Sequence, residues 1–187
     1  MRTLTATAFV SLDGVMQAPG GEPGYAHAGW VAAHFTPELG AYKEAEQLAA
    51  GVLLVGRRTY EGFAGAWPGR EGAMAEKLNT MTKYVASTTL SDPEWQPTTV
   101  IADDLPGAVR ALKDGGNGPI LIAGSRSVVH QLLDAGLIDE INLQVLPVVL
   151  ASGERFYPDR SEPIELELAA SEAMPSGVLA QTYRVRR

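Results

Sequence analysis

The chain has 187 residues, 45% of them apolar, with 15 basic against 22 acidic side chains and a formal net charge of -7. This composition gives a folded, mildly acidic protein with one substantial core, and it leaves no basic stripe for a nucleic-acid backbone. The absence of cysteine removes disulfides, thiol catalysis and thiolate metal sites, and it fits a reducing cytoplasm.

Residues 3–11 are rich in Thr, Ala, Val and Phe and read as a strand stopped by Asp13-Gly14. This start lacks the long apolar region and cleavage site of a signal peptide, and no apolar run approaches the ~20 residues that span a bilayer. A cytoplasmic location away from membranes is therefore expected. Residues 17–30, QAPGGEPGYAHAGW, form a long Gly- and Pro-rich loop, a class of loop that is usually functional. Thr36-Pro37 reads as an N-cap with Pro at the first helical position. Leu39, Tyr42, Glu46 and Ala49 follow at helical spacing, and Gly51 closes the segment.

The run 52–55, VLLV, is continuously apolar, as in a strand covered on both faces. A short helix after Gly56 and another around 71–81 precede a third strand at 84–87. A fourth strand at 98–102 leads to a helix capped by Asp104, with Leu105, Val109 and Leu112 on one side and Gly115-Gly116 at its end. The fifth strand, 119–123, runs into a helix at 127–135 closed by Gly136. Residues 139–150, 163–171 and 178–185 are strand-like and are expected as antiparallel additions at one edge. The alternation predicts a single α/β domain over 1–187. It would be a three-layer αβα sandwich around a mostly parallel sheet, with C-terminal antiparallel strands.

Ligands of such sheets bind beyond the carboxyl ends of the strands, at helix N-termini. Three strand ends carry suitable residues. VGRRTYEGF offers Gly56 for a close turn, the guanidinium groups of Arg57 and Arg58, and the Thr59 hydroxyl. ASTTL presents consecutive hydroxyls, Ser87 and Thr88 among them. AGSRS places Gly124, Ser125, Arg126 and Ser127 where a helix dipole and unpaired N–H groups favour an anion. The chain has no GxGxxG, no GxxxxGK[ST], no GxSxG and no HExxH. His27, His34 and His130 lack metal-ligand spacing, so no metal is expected.

SLDGVM, GRRTYEGF, KYVASTTL and LIAGSRSVVHQLLDAGLIDEINLQVLPVVLASGERFY, in this order, resemble the dihydrofolate reductase-like superfamily. More closely they resemble the bacterial branch related to the C-terminal reductase domain of the bifunctional riboflavin-biosynthesis enzyme. The resemblance covers residues 3–185 and implies an NADPH site. Arg57 and Arg58 would lie near the adenosine 2′-phosphate, and Thr59 would reach the pyrophosphate. Ser87 and Thr88 would flank the adenosine, and Gly124, Ser125, Arg126 and Ser127 would hold the pyrophosphate. Relatives often carry two glycines at the last turn, and in this chain Ala123 precedes Gly124.

Two residues are candidates for the acid that protonates a reduced product: Glu38, at the start of the first helix, and Asp13, at the end of the first strand. Trp30 would cover a small-molecule substrate and Phe35 would line its site. The first reading is an NADPH-dependent reductase of a pterin- or pyrimidine-like heterocycle. An alternative is 5-amino-6-(5-phosphoribosylamino)uracil reductase, whose phosphorylated substrate would want a second basic pocket that the loop at 17–30 does not offer. A third is a non-catalytic dinucleotide-binding sensor or scaffold. The fold's relatives often pair through their late strands, which implies a homodimer.

Overall fold

The computed structural model describes residues 1–159 and 162–186. Its elements are β1 (Leu4–Ser11), α1 (Pro37–Ala49), β2 (Val52–Gly56), α2 (Arg57–Ala66), α3 (Ala73–Thr80), β3 (Lys83–Ala86) and β4 (Thr98–Ile101). They continue with α4 (Leu105–Asp114), β5 (Ile120–Ala123), α5 (Arg126–Asp134), β6 (Glu140–Leu146), β7 (Leu166–Ala173) and β8 (Leu179–Val185). The helix starts follow from local chemistry. Thr36 Oγ1 accepts from Leu39 N with Pro37 at the first turn, and Asp104 Oδ1 accepts from Gly107 N at 3.0 Å.

The strands form one sheet in the order β4-β3-β2-β5-β1-β6-β8-β7. All pairings from β4 to β6 are parallel. The sequence reading placed 139–150 among the antiparallel strands, and the structure corrects this: β6 runs parallel to β1 from Thr5↔Glu140 to Ser11↔Leu146. β5, α5 and β6 make a helical crossover, which returns the chain in the same direction. β8 alone runs against both its neighbours, β6 and β7.

Alternation along the strands sorts two faces. Leu4, Ala6, Ala8 and Val10 of β1 and Ile120 and Ile122 of β5 join Val109 of α4 and Leu132 of α5 in one continuous apolar core. The other face carries two separate apolar clusters. Leu53, Val55, Tyr60, Leu78 and Trp95 form one, and Leu39, Leu146, Val178 and Ala180 form the other. Lys83, wholly buried in the first of these, donates to the carbonyls of Leu78 and Met81 at the end of α3 and lies 4.3 Å from the Trp95 ring centre. Burial pulls its ammonium down to about 8.

At Gly51, between α1 and β2, a Cβ would stand 2.1 Å from the Asn117 carbonyl oxygen. Only glycine lets β2 start this close to the turn that leads into β5.

Candidate functional site

The parallel order places the carboxyl ends of β3, β2, β5 and β1 side by side. β2 passes straight into α2, with Gly56 as the N-cap, and β5 passes into α5 through two left-handed residues, Gly124 and Ser125, each at φ 56°. The Ser125 hydroxyl joins the two turns. It accepts from Gly56 N at 2.9 Å and donates to the Ala123 carbonyl at 3.0 Å, and the Thr59 hydroxyl donates to it at 3.0 Å. Ser127 Oγ lies 3.8 Å from where a Gly56 Cβ would be. Gly56, Thr59, Gly124, Ser125 and Ser127 are thus brought together, and the N-termini of α2 and α5 converge on one spot.

Ala123 is a buried residue of β5, and the position that favours glycine is Ser125. A left-handed non-glycine residue costs about 1–2 kcal/mol, which the three hydrogen bonds at Ser125 offset.

Arg57 is half-exposed on the outer side of this spot, with Nε on Glu61 at 2.6 Å and Nη1 on Thr89 Oγ1 at 2.7 Å. It therefore bridges α2 to the loop after β3. Arg58 and Thr88 are exposed. The Ser87 hydroxyl accepts from Thr89 N and Leu90 N, so it shapes its own turn. Arg126 is exposed and sits 3.8 Å from Glu154. Exposed pairs of this kind are worth about 0–1 kcal/mol and exchange readily for another anion.

β1 pairs with β5 only as far as Thr7↔Ala123, then continues to Ser11 beside β6. Thr7 carbonyl accepts from Gly124 N at 2.9 Å. Past this point β1 has no partner in β5, and the carboxyl ends of such strands, next to helix N-termini, are where parallel α/β sheets take their ligands.

The two candidate acids sit differently. Asp13 accepts from the Ser11 hydroxyl at 2.6 Å, from Leu150 N at 3.1 Å and from Ala151 N at 2.9 Å. The Ser11 bond, and then the two backbone bonds, hold its carboxyl below the usual range. It fastens the segment after β1 to the loop after β6. The same seam carries Met16 N to Glu154 carbonyl, Phe156 N to Gly14 carbonyl and Tyr25 hydroxyl to Ser152 carbonyl. Glu38 is exposed, and its own backbone N–H and the Thr36 hydroxyl hold its carboxyl low. Both groups are therefore carboxylates at neutral pH, the state of an acceptor.

Trp30 is half-buried, donates to Gln17 carbonyl at 2.8 Å and packs with the cluster around Leu39. Phe35 is 51% exposed and meets Phe9 of β1 edge-on at 6.4 Å. His130 is bonded to Phe156 carbonyl at 2.9 Å. Among the described residues no group of three His, Asp or Glu could hold a metal, and no helix is long and apolar enough to cross a membrane.

Sequence reasoning missed a polar seam at the centre of the α1 face, between the two apolar clusters. Lys43, only 8% exposed, donates to Thr7 Oγ1 at 2.8 Å, to Gln144 Oε1 at 3.2 Å and to Glu46. Glu46 Oε1 accepts from Asn142 Nδ2 at 3.0 Å. Phe9 lies under the ammonium, and burial and the Glu46 carboxylate push the Tyr42 phenol up. The signal was available: Lys43 and Gln47 fall one and two turns after Leu39, on the buried stripe of α1.

A sequence-family profile described as the RibD C-terminal domain matches residues 2–180. Uncharacterized protein YyaP of Bacillus subtilis (strain 168) is 27% identical over 179 residues, covering 93% of this chain and 90% of that protein. Among solved structures, a protein of Shewanella sp. PV-4 assigned to riboflavin biosynthesis superposes with a TM-score of 0.78 at 18% identity, over 99% of both chains. A pyrimidine reductase-like protein of Corynebacterium diphtheriae gives 0.70 at 15% identity, over 100% of this chain and 92% of that one. Dihydrofolate reductase of Enterococcus faecalis, complexed with NADP(H), gives 0.64 at 18% identity, over 99% and 97%. The fold is dihydrofolate reductase-like, as the motif order implied.

Proposed function

The chain belongs to the RibD C-terminal domain family, and from that premise we propose that it is an NADPH-dependent reductase of a small pterin- or pyrimidine-like heterocycle. One observation carries the reading: the N-termini of α2 and α5 are fastened together by Ser125 at the carboxyl ends of the strands. The donor set fits a dinucleotide. Two helix dipoles and their free N–H groups suit a pyrophosphate. Around Gly124 the nearest atom to an added Cβ is Thr59 Oγ1 at 4.0 Å, so the backbone is open to close approach.

In this reading Gly56, Thr59, Gly124, Ser125, Arg126 and Ser127 hold the pyrophosphate. Arg57 and Arg58 face a 2′-phosphate beside Ser87 and Thr88, and so favour NADPH over NADH. The bound cofactor would supply the hydride. The chain places the ring where β1 leaves β5, and it excludes water with the loop at 17–30, Trp30 and Phe35. Asp13 and Glu38, as carboxylates, serve as acceptors that orient a proton-bearing water or substrate N–H. Direct proton donation would require one of them to be raised by a bound ligand. We further propose a homodimer formed through the late strands. The exposure of β7, which has one neighbour in the sheet, supports this.

Calorimetric titration with NADPH, NADH and NADP⁺ tests the reading. NADPH binding that weakens about tenfold in Arg57→Ala is expected, a change of 1.4 kcal/mol. Failure to bind any nicotinamide would remove the reductase reading. Binding without cofactor oxidation on a panel of pterins and aminopyrimidines would favour a dinucleotide sensor.

A further inference from the structure

Lys83, at the start of β3, is wholly buried. Charged side chains are almost never fully buried without a paired charge, and among the described residues no carboxylate pairs with this one. Its ammonium is held by the backbone instead. It donates to the carbonyls of Leu78 and Met81, each at 2.9 Å, and of Asn79 at 3.3 Å. These lie at the end of α3, where unpaired carbonyls and the helix dipole favour a cation. The Trp95 ring covers the ammonium with its centre 4.3 Å away.

Trp95 is gripped from three sides. Its Nε1 donates to Asn79 Oδ1 at 2.8 Å, its backbone N donates to the Tyr60 hydroxyl at 2.9 Å, and its ring faces the ammonium. It anchors the far end of the segment 87–97, whose near end carries Thr89, the acceptor of Arg57. The remaining groups against Lys83 are uncharged. Leu53 of β2 and Thr98 of β4 are its neighbours across the sheet. Glu76 and Lys77 of α3 and Glu94 beside Trp95 are exposed or half-buried and do not pair with it. The charged residues of α2, Arg57, Arg58 and Glu61, lie in its first half, toward the cofactor turn. Nothing therefore supplies the negative charge that keeps a buried ammonium protonated into the alkaline range.

We propose that Lys83 is a proton-operated clasp on Trp95. Protonated, it ties the end of α3 to the face of the indole. On giving its proton to solvent it keeps two N–H donors for the Leu78 and Met81 carbonyls, and it releases the Asn79 carbonyl and the indole face. Burial sets the point of release, because it draws the ammonium from its ordinary 10.5 to about 8. The folded state thus binds this proton more weakly than the unfolded chain. The cost of the buried charge is complete below the folded value and is relieved as pH rises toward the unfolded one. Global stability is expected to rise across this window while the hold on Trp95 loosens, a combination that a merely structural lysine does not produce. The clasp is independent of the reductase reading.

The test uses the full chain without ligand. The Lys83 Cε resonance, assigned by through-bond correlation to its backbone, is titrated by NMR in the wild type, and tryptophan emission is followed from about pH 7 to about pH 9.5, below the ordinary range of tyrosine ionisation. The Cε resonance is expected to titrate with a midpoint near 8. Emission is expected to change with the same midpoint in the wild type and to lose that change in Trp95→Phe and in Lys83→Met. The urea midpoint is expected to rise with pH in the wild type and to stay level in Lys83→Met. Should Lys83→Met not fold, the wild-type titrations and Trp95→Phe decide alone. A Cε resonance that titrates near 10.5 overturns the proposal. So does a midpoint near 8 with unchanged emission, or an emission change that persists in Trp95→Phe.

Discussion

The two faces of the central sheet come from the same strands and do opposite work. On one, β1, β5 and β6 present Leu4, Ala6, Ala8, Val10, Ile120, Ile122, Ile141 and Leu143 to α4 and α5 without a polar break. On the other, the same strands present Thr5, Thr7, Asn142 and Gln144 to α1, and the apolar contacts retreat into two clusters on either side. An uninterrupted apolar face is the cheapest way to stabilise a sheet. A charged pair and carboxamides at the centre of the second face lower its contribution to stability relative to a well-packed apolar one.

The sharpest way to break this comparison is Lys43→Met. The Glu46 carboxylate, with its side chain 9% exposed, would lose its cation, and the expected loss is about 3–5 kcal/mol by denaturant unfolding. The double variant Lys43→Met with Glu46→Leu should recover most of that stability. If the double variant is as unstable as the single one, the seam is a structural necessity and the contrast between the faces fails. On the opposite face, Leu132→Ala removes a wholly buried side chain and should cost about 3 kcal/mol, with cofactor affinity unchanged.

The apolar face was legible in the sequence and much of the other face was not, for a physical reason. Runs such as VLLV and ILIA announce buried strands, and the stripe Leu105, Val109 and Leu112 announces a packed helix, because burial of apolar surface is what such periodicity encodes. The three strand-end turns were legible too, since Gly56 and Gly124 mark close backbone turns. Strand direction is not encoded in side-chain alternation, so β6 was assigned to the antiparallel group, and only its helical crossover from β5 decides otherwise. Lys43, Glu46 and Gln144 belong to residue types that normally face water, and only the tertiary pairing that satisfies them makes their burial possible. Ser125 reads in sequence as an ordinary cap, whereas it stands in a left-handed conformation with its hydroxyl shared between two helices.

Ser125 sharpens the comparison at smaller amplitude, because it lies where the polar face meets the candidate cofactor turn. Ser125→Ala leaves the buried Gly56 N–H without an acceptor and should cost about 1–3 kcal/mol, with NADPH affinity falling about tenfold. Ser125→Gly relieves the left-handed strain and still lacks the hydroxyl. It should therefore regain stability relative to Ser125→Ala while NADPH affinity stays low. If Ser125→Gly restores affinity, backbone conformation is what matters there, and the hydroxyl bridge between α2 and α5 is incidental.

The smallest effect is expected at Asp13, at the open end of the same face. Its carboxylate accepts two backbone N–H groups from the loop after β6, and its folded pKa lies below the model-peptide value of 3.8. A carboxyl with a depressed folded pKa contributes stability that is complete above its unfolded pKa and is lost as pH falls through the folded one. The fastening of residues 11–16 to residues 148–156 should thus be unchanged from pH 8 to pH 5 and loosen only below about pH 4. Hydrogen exchange at the Leu150 and Ala151 amides reads this locally. Asp13→Ala should raise their exchange at neutral pH while amides in β1 and β5 keep their protection. Uniform exchange acceleration across the sheet would instead make Asp13 part of the global fold, and the loop it fastens could not move independently of the sheet.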